Sequence, residues 1–148
     1  MTDETDGRLR EFLAGERLDD VALFLSTDVD GVERLREIGE PIDGGAVIVV
    51  PGEDGRSAFA SATGMDAMEF ARDAMNGDGE IAPWLNDGVC PATDGDHAVR
   101  FVFAFAEAEN DGVGGLYAEG NVIHAYAHCR CGTNYSHKWV VGDRPLPG

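Results

Sequence analysis

The sequence predicts one α/β (α+β) domain over residues 1–148, with an N-terminal strand–helix–strand unit and helices packed on a mixed sheet that ends in an antiparallel meander. Three observations support this class. The length is typical of one domain with a buried core. Hydrophobic residues make up 43% of the chain, which is a folding composition. The periodicity changes to continuous strand alternation in the last third. We expect residues 1–7 and 143–148 to be flexible tails.

A short helix is expected first. Leu9, Phe12 and Leu13 lie at helical spacing, so their side chains share one face. Gly15 follows this stripe and is a typical helix stop.

A strand–helix–strand unit comes next. Val21 to Ser26 is an apolar run of strand length, and Ala46 to Val50 is a second run that is mostly β-branched. Between the two runs, Asp30 and Glu33 form a capping box that opens a helix. This order favours parallel pairing of the two strands across a short helical crossover.

Two further helices are expected, and all the helices together should cover one face of a single mixed sheet. The first runs from about Arg56 to Ala62, and a second capping box, Asp66 with Glu69, opens the next. Residues 80–96 have the composition of a loop that the apolar pair at 84–85 anchors to the core.

The last third alternates between the two faces of successive strands. One face of the first strand carries Val99, Phe101, Phe103 and Phe105. Turn sequences separate three further runs, at 113–119, 122–131 and 135–141. The pattern predicts an antiparallel meander, and we expect the three phenylalanines to share one core with Leu23 and Ile48.

The charge balance indicates a very salty environment. Asp and Glu number 28 against 11 Lys and Arg, which gives a formal net charge of −17, and Lys138 is the only lysine. In dilute buffer this like charge opposes the compact state, whereas at molar salt the Debye length falls to about 3 Å and the repulsion is screened. We therefore expect a protein adapted to molar intracellular salt.

The same composition excludes several classes of partner. The carboxylates are spread along the chain and no basic stripe is visible, so we expect no nucleic acid. No apolar run reaches the ~20 residues that span a bilayer, and the acidic N-terminus has no signal pattern. These features favour a cytoplasmic location, where three cysteines are expected as thiols or metal ligands. The oligomeric state stays open.

Cysteine and histidine recur in the last third in a pattern that suits zinc. Zinc in structural sites takes four Cys or His ligands in a tetrahedron. Cys90, the knuckle Cys129-Arg130-Cys131-Gly132, and His137 supply such a set. Two alternatives stay open, since the cysteines could be small core residues or could carry redox chemistry.

Strand alternation predicts a second candidate site on the opposite face. It carries His124, Tyr126, His128 and Arg130, the most cationic and aromatic patch in an acidic chain. This stripe suits binding of an anion, a carboxylate or a base, although an ordinary solvated sheet face has the same pattern. Alternation also places His128 away from the cysteines, which favours His137 as the fourth zinc ligand.

No established catalytic motif is visible in the chain. We therefore expect a non-enzymatic protein, stabilised by zinc if the cysteines bind a metal, that binds a partner or small ligand through its sheet. The alternative is a small enzyme with a Cys/His site near residues 128–137.

Three stretches resemble a family. They are EFLAGERLDDVALFL, GRSAFASATGMDAMEFARDAM and AYAHCRCGTNYSHKW, at residues 11–25, 55–75 and 125–139. Together they are similar to an uncharacterised family of small acidic haloarchaeal proteins, a domain of unknown function. The resemblance implies a high-salt origin and carries no activity or site residues with it.

Overall fold

A computed structural model describes residues 4–29, 31–42, 44–92, 95, 97–108, 112 and 120–141. The helices are α1 Glu4–Leu13, α2 Val32–Ile38, α3 Gly52–Thr63 and α4 Ala67–Ala74. The strands are β1 Asp20–Ser26, β2 Glu40–Ile42, β3 Gly45–Pro51, β4 Glu80–Ile81, β5 Gly88–Val89, β6 Val99–Glu107, β7 Val122–Cys129 and β8 Asn134–Val140. The expected α+β class is confirmed. The expected strand at 113–119, the cap residue Asp30 and the tail 143–148 lie outside the described residues.

Six strands form one sheet in the order β2-β3-β1-β6-β7-β8, and the short strands β4 and β5 form a second sheet. The last three strands of the large sheet are the expected antiparallel meander. An isolated parallel bridge joins Asp78 to Ser136 at its edge strand. Within the described residues, no helix is long and apolar enough to cross a membrane.

The expected parallel pairing of the first two long strands is wrong. β1 and β3 are antiparallel, with Leu23 opposite Ile48. The reason is the short edge strand β2, which follows α2, pairs antiparallel with β3 and contains Pro41. The crossover helix therefore leads from β1 to β2, and β3 turns back between them. A three-residue strand with a proline gives almost no periodic signal, which is why the sequence conceals this hairpin.

Helices lie on both faces of the large sheet, so the expectation of one covered face is wrong. On the first face, Phe24, Val49 and Ile123 pack with Leu9 and Phe12 of α1. The other face packs against α2, α3 and α4, through Leu35, Phe59, Phe70 and Ala74. The expected phenylalanine core is confirmed on this second face: it contains Leu23, Ile48, Phe101 and Phe103, with Phe105 packed against it.

One residue of the first meander strand departs from the expected alternation. The register of β6 shifts between Val99 and Phe101, and this bulge turns Val99 to the face that carries Cys129, its partner on β7. β-bulges redirect side chains in this way. The bulge therefore places the segment that precedes β6 beside the end of β7.

Candidate metal centre

The tight turn between β7 and β8 positions two of the three cysteines. Cys129 ends β7 and is buried, and Cys131 lies exposed in the turn. The backbone N–H of Cys129 donates to the Thr133 carbonyl at 2.9 Å, and that of Gly132 donates back to the Cys129 carbonyl at 2.9 Å. Gly132 has a φ of 98°, a left-handed conformation that glycine adopts without strain. The turn thus folds the Cys131 side chain back towards Cys129.

Cys90 comes to the same place on the small sheet. It directly follows β5, which lies over the buried ring of Tyr135. The approach is so close that a Cβ on Gly88 would sit 2.5 Å from the Tyr135 hydroxyl, so a glycine is needed there. The preceding loop is held by Leu85, which is fully buried, and by Trp84, which lies 4.9 Å beneath the guanidinium of Arg10.

The segment that leads into β6 adds a histidine. The backbone N–H of Arg130 donates to the Ala98 carbonyl at 2.7 Å, which fastens this segment to the turn. As a result, His97 Nδ1 lies 3.4 Å from Cys129 Sγ.

Four ligand atoms, one each from Cys90, His97, Cys129 and Cys131, all lie within 4.8 Å of one another. The Cys90 and Cys131 sulfurs are 3.8 Å apart, and the Cys129 sulfur and the His97 nitrogen are 3.4 Å apart. In a tetrahedral zinc site, bonds of about 2.3 Å to sulfur and about 2.0 Å to nitrogen place two sulfurs about 3.8 Å apart and a sulfur and a nitrogen about 3.5 Å apart. These four residues therefore lie close enough to hold a metal ion.

The electrostatics of the turn favour a thiolate at Cys131. The hydrogen bond between the Cys131 sulfur and the Thr133 hydroxyl, at 3.2 Å, and a bond to the Thr133 backbone lower the pKa of the Cys131 thiol to about 6. Burial acts in the opposite direction on Cys90, where it raises the pKa of the thiol. Since only deprotonated sulfur is a good ligand, the Cys131 sulfur is better prepared than that of Cys90 to contact a metal ion at neutral pH.

The histidine of the cluster differs from the one that the sequence favoured. His137 lies opposite Ala125 on β7, four residues from Cys129, which corresponds to about 13 Å along a strand. Its Nδ1 accepts a hydrogen bond from the Ile81 backbone N–H at 3.0 Å, so it attaches the small sheet to β8. The available signal for His97 was its position in the same loop as Cys90, seven residues later.

The stripe on the opposite face of β7 lies beneath α4 along much of its length. Tyr126 is buried, and His124 stacks on Phe105 with ring centroids 4.8 Å apart. His128 stacks on Phe101 at 4.8 Å, and its Nδ1 lies 2.6 Å from the Asn134 side-chain oxygen. At the end of the stripe Arg130 is exposed and pairs with Asp28 at 2.7 Å. His124 and Tyr126 line a cavity of about 790 Å³, whereas His128 and Arg130 do not.

Comparison with known proteins finds one family match, which covers the part of the chain that carries both features. The sequence model of the DUF5807 family of unknown function matches residues 39–142, a span that contains the cysteines, His97 and the lining of the cavity. No curated protein and no solved structure matches the chain. Since the family model matches well over half of the residues, the chain belongs to the DUF5807 family.

Proposed function

We propose that this is a zinc-stabilised, non-enzymatic binding protein of a high-salt cytoplasm, whose sheet takes up a partner or small ligand. One zinc ion is bound by Cys90, His97, Cys129 and Cys131 and ties the segment around residues 90–97 to the β7–β8 turn. The convergence of four donor atoms within 4.8 Å carries the proposal.

The donor set selects zinc over other common ions. Three thiolates and one imidazole are soft to borderline ligands, which suit zinc and disfavour magnesium and calcium. Four protein ligands also fill a tetrahedral site, and such closed sites are typical of structural zinc, whereas catalytic zinc keeps a position for water. Burial of Cys129 at 1% exposure supports the structural role further.

The net charge and the free cysteines support a salty, reducing compartment. A net charge of −17 is compatible with a compact chain where molar salt shortens the Debye length to about 3 Å. Three free cysteines fit a reducing compartment.

A second candidate is a small enzyme with Cys131 as nucleophile. One observation favours it: Cys131 is exposed, and its hydrogen bonds lower its pKa to about 6, which is suited to a reactive thiolate. Against it, two other sulfur ligands lie in the same cluster, an arrangement that a metal requires and a nucleophile does not.

Elemental analysis of protein purified under reducing conditions in molar KCl tests the proposal. We expect about one zinc per chain, tetrahedral thiolate absorption after cobalt substitution, and slow alkylation of all three cysteines until a chelator is added. His97→Gln and Cys131→Ser should each lower zinc affinity strongly. His137→Gln is the matched control and should keep the metal.

One outcome would decide against zinc, and another would decide against the ligand set. Folded protein without metal, with Cys131 alone alkylated rapidly, would favour the enzyme. Loss of zinc in His137→Gln with retention in His97→Gln would show that the ligand set is wrong.

A further inference from the structure

A cavity of about 790 Å³ lies between α4 and the strands β6 to β8, on the face of the sheet opposite to Cys129. Small-molecule sites usually have volumes of about 300–1,000 Å³ and are mostly apolar with a few polar groups. The volume of this cavity is within that range, and its position is independent of the metal centre.

Apolar and aromatic side chains form much of the lining. Phe105 and Tyr126 contribute from the sheet, and Met68 and Met75 from the side of α4. The two methionines are 54% and 65% exposed, so their side chains are accessible to a ligand. Methionine is flexible and polarizable, so it adapts to varied apolar ligands.

Two cations line the same cavity from opposite walls. Arg72 comes from α4, and Lys138, the only lysine of the chain, comes from β8. The guanidinium of Arg72 makes no ion pair with any described residue. In a chain with 28 acidic and 11 basic residues, two cations at one cavity mark a place where an anion can be held.

The acidic residues of the lining leave this role intact. The Glu107 carboxylate is bonded to His124 Nε2 at 2.9 Å, so it already has a partner. Asp78 is exposed to solvent. At molar salt the repulsion from the remaining carboxylates is screened beyond about 3 Å, whereas direct contacts with Arg72 and Lys138 persist.

We propose that this cavity binds a small organic anion, with an aromatic or apolar body against Met68, Met75 and Phe105 and its charged group between Arg72 and Lys138. The inference names the ligand class for the sheet-binding part of the proposed function. It does not depend on zinc, so metal analysis and ligand binding can fail separately.

The test uses two probes that differ by one charged group, anilinonaphthalene sulfonate and its uncharged parent N-phenyl-naphthylamine. Fluorescence and amide NMR titrations are carried out on the zinc-loaded chain in molar KCl. We expect the sulfonate to bind about tenfold more tightly than the parent, since one charge-assisted contact contributes on that order. Shifted amides should lie in α4, β7 and β8 and not around residues 88–90.

Variants test which residues of the cavity contact the sulfonate group of the probe. Arg72→Gln and Lys138→Gln should each weaken sulfonate binding several-fold and leave the parent unchanged. Arg56→Gln, an exposed arginine on α3, is the matched control and should have no effect. Equal binding of both probes, or no response to the Arg72 and Lys138 variants, would overturn the proposal, as would shifts located away from α4.

Discussion

Strand β7 sends alternate side chains into two different environments. On one face Ile123, Ala125 and Ala127 lead to Cys129, whose sulfur meets ligand atoms from a turn and two other segments. On the other face His124 and Tyr126 lie beneath α4 and border a cavity of about 790 Å³. The first site is closed by its own side chains, whereas the second keeps space for a molecule from outside. One strand can thus contribute to a candidate metal centre and to a separate cavity, because strand alternation separates their side chains.

Withdrawal of salt should have the largest effect and should act on both faces alike. The 28 carboxylates are spread over the sequence, so lower screening raises repulsion over the whole surface. We expect transfer from molar KCl to dilute buffer to remove most of the ~5–15 kcal/mol typical of a folded domain. Circular dichroism melts over a KCl series measure this.

A double variant sharpens the test. Glu37→Lys with Glu53→Lys replaces two exposed carboxylates, so it should need less salt to fold. Full stability of the unchanged protein in dilute buffer, or unfolding limited to one face, would contradict the prediction.

Removal of a core side chain should act next most strongly, on the face that α2, α3 and α4 cover. Phe59 is fully buried and packs with Phe70, Phe101 and Phe103, at ring-centroid distances of 5.3, 5.5 and 5.4 Å. Phe59→Ala should lower the free energy of unfolding by about 3–5 kcal/mol, measured in molar KCl. Zinc content should not change, because Cys129 lies on the other face. Met68→Ala is the exposed control and should change stability by no more than about 0.5 kcal/mol. Loss of zinc in the Phe59 variant would show that the two faces are coupled.

Removal of the metal with a chelator should destabilise the face of the sheet that carries Cys129. A ligand that binds only the folded state stabilises it by about 2.7 kcal/mol when its free concentration is 100 times its Kd, and by about 4.1 kcal/mol at 1,000 times its Kd. A chelator should therefore lower the free energy of unfolding by about 3 kcal/mol. Hydrogen exchange should show which amides lose protection when the metal is removed. Amides of the β7–β8 turn, such as those of Arg130 and Gly132, should lose protection, whereas Leu23 and Ile48 of the central strands should keep theirs. An unchanged exchange pattern would contradict a structural metal.

The parts of the fold that follow from periodicity were predictable from the sequence. Phe101 and Phe103 could be assigned to one core because alternation depends only on neighbouring residues. The Asp66 cap was likewise local, and its Oδ2 accepts the Glu69 N–H at 3.0 Å. Antiparallel pairing of β1 with β3 was not predictable, because it depends on the short hairpin strand β2.

The candidate site also has a local part that the sequence predicts and a part that depends on distant contacts. The knuckle at Cys129 and Cys131 is local and was recognised. His97 was missed because its position depends on the bulge in β6 and on the bond between Arg130 and Ala98. Strand alternation favours His137 over His128, but the register of β8 depends on the length of a turn that the sequence leaves open. Contacts between loops that are distant in the chain cannot be predicted from a single sequence.

The smallest effect should come from His124, on the cavity face, through its pKa. Burial lowers the pKa of this imidazole below its ordinary value of about 6.5 in spite of the bond to Glu107. The unfolded chain therefore binds a proton more readily than the folded one. The contribution of His124 to stability is present above pH ~6.5 and is lost as the pH falls towards the folded-state pKa.

His124→Gln should reduce this dependence while it keeps a donor for Glu107. The measurement compares thermal melts of the variant and the unchanged chain between about pH 5 and 7.5. A chelator is present in both, because protons otherwise also compete with zinc for the cysteines. Any titration of the cysteines is common to the two proteins, so the difference between their pH profiles isolates His124. We expect the unchanged chain to lose more stability on acidification than the variant. Identical profiles would show that His124 contributes nothing to the pH dependence of stability. An imidazole NMR titration that places the His124 pKa above its ordinary value would reverse the sign, so that acid would stabilise the folded chain through His124.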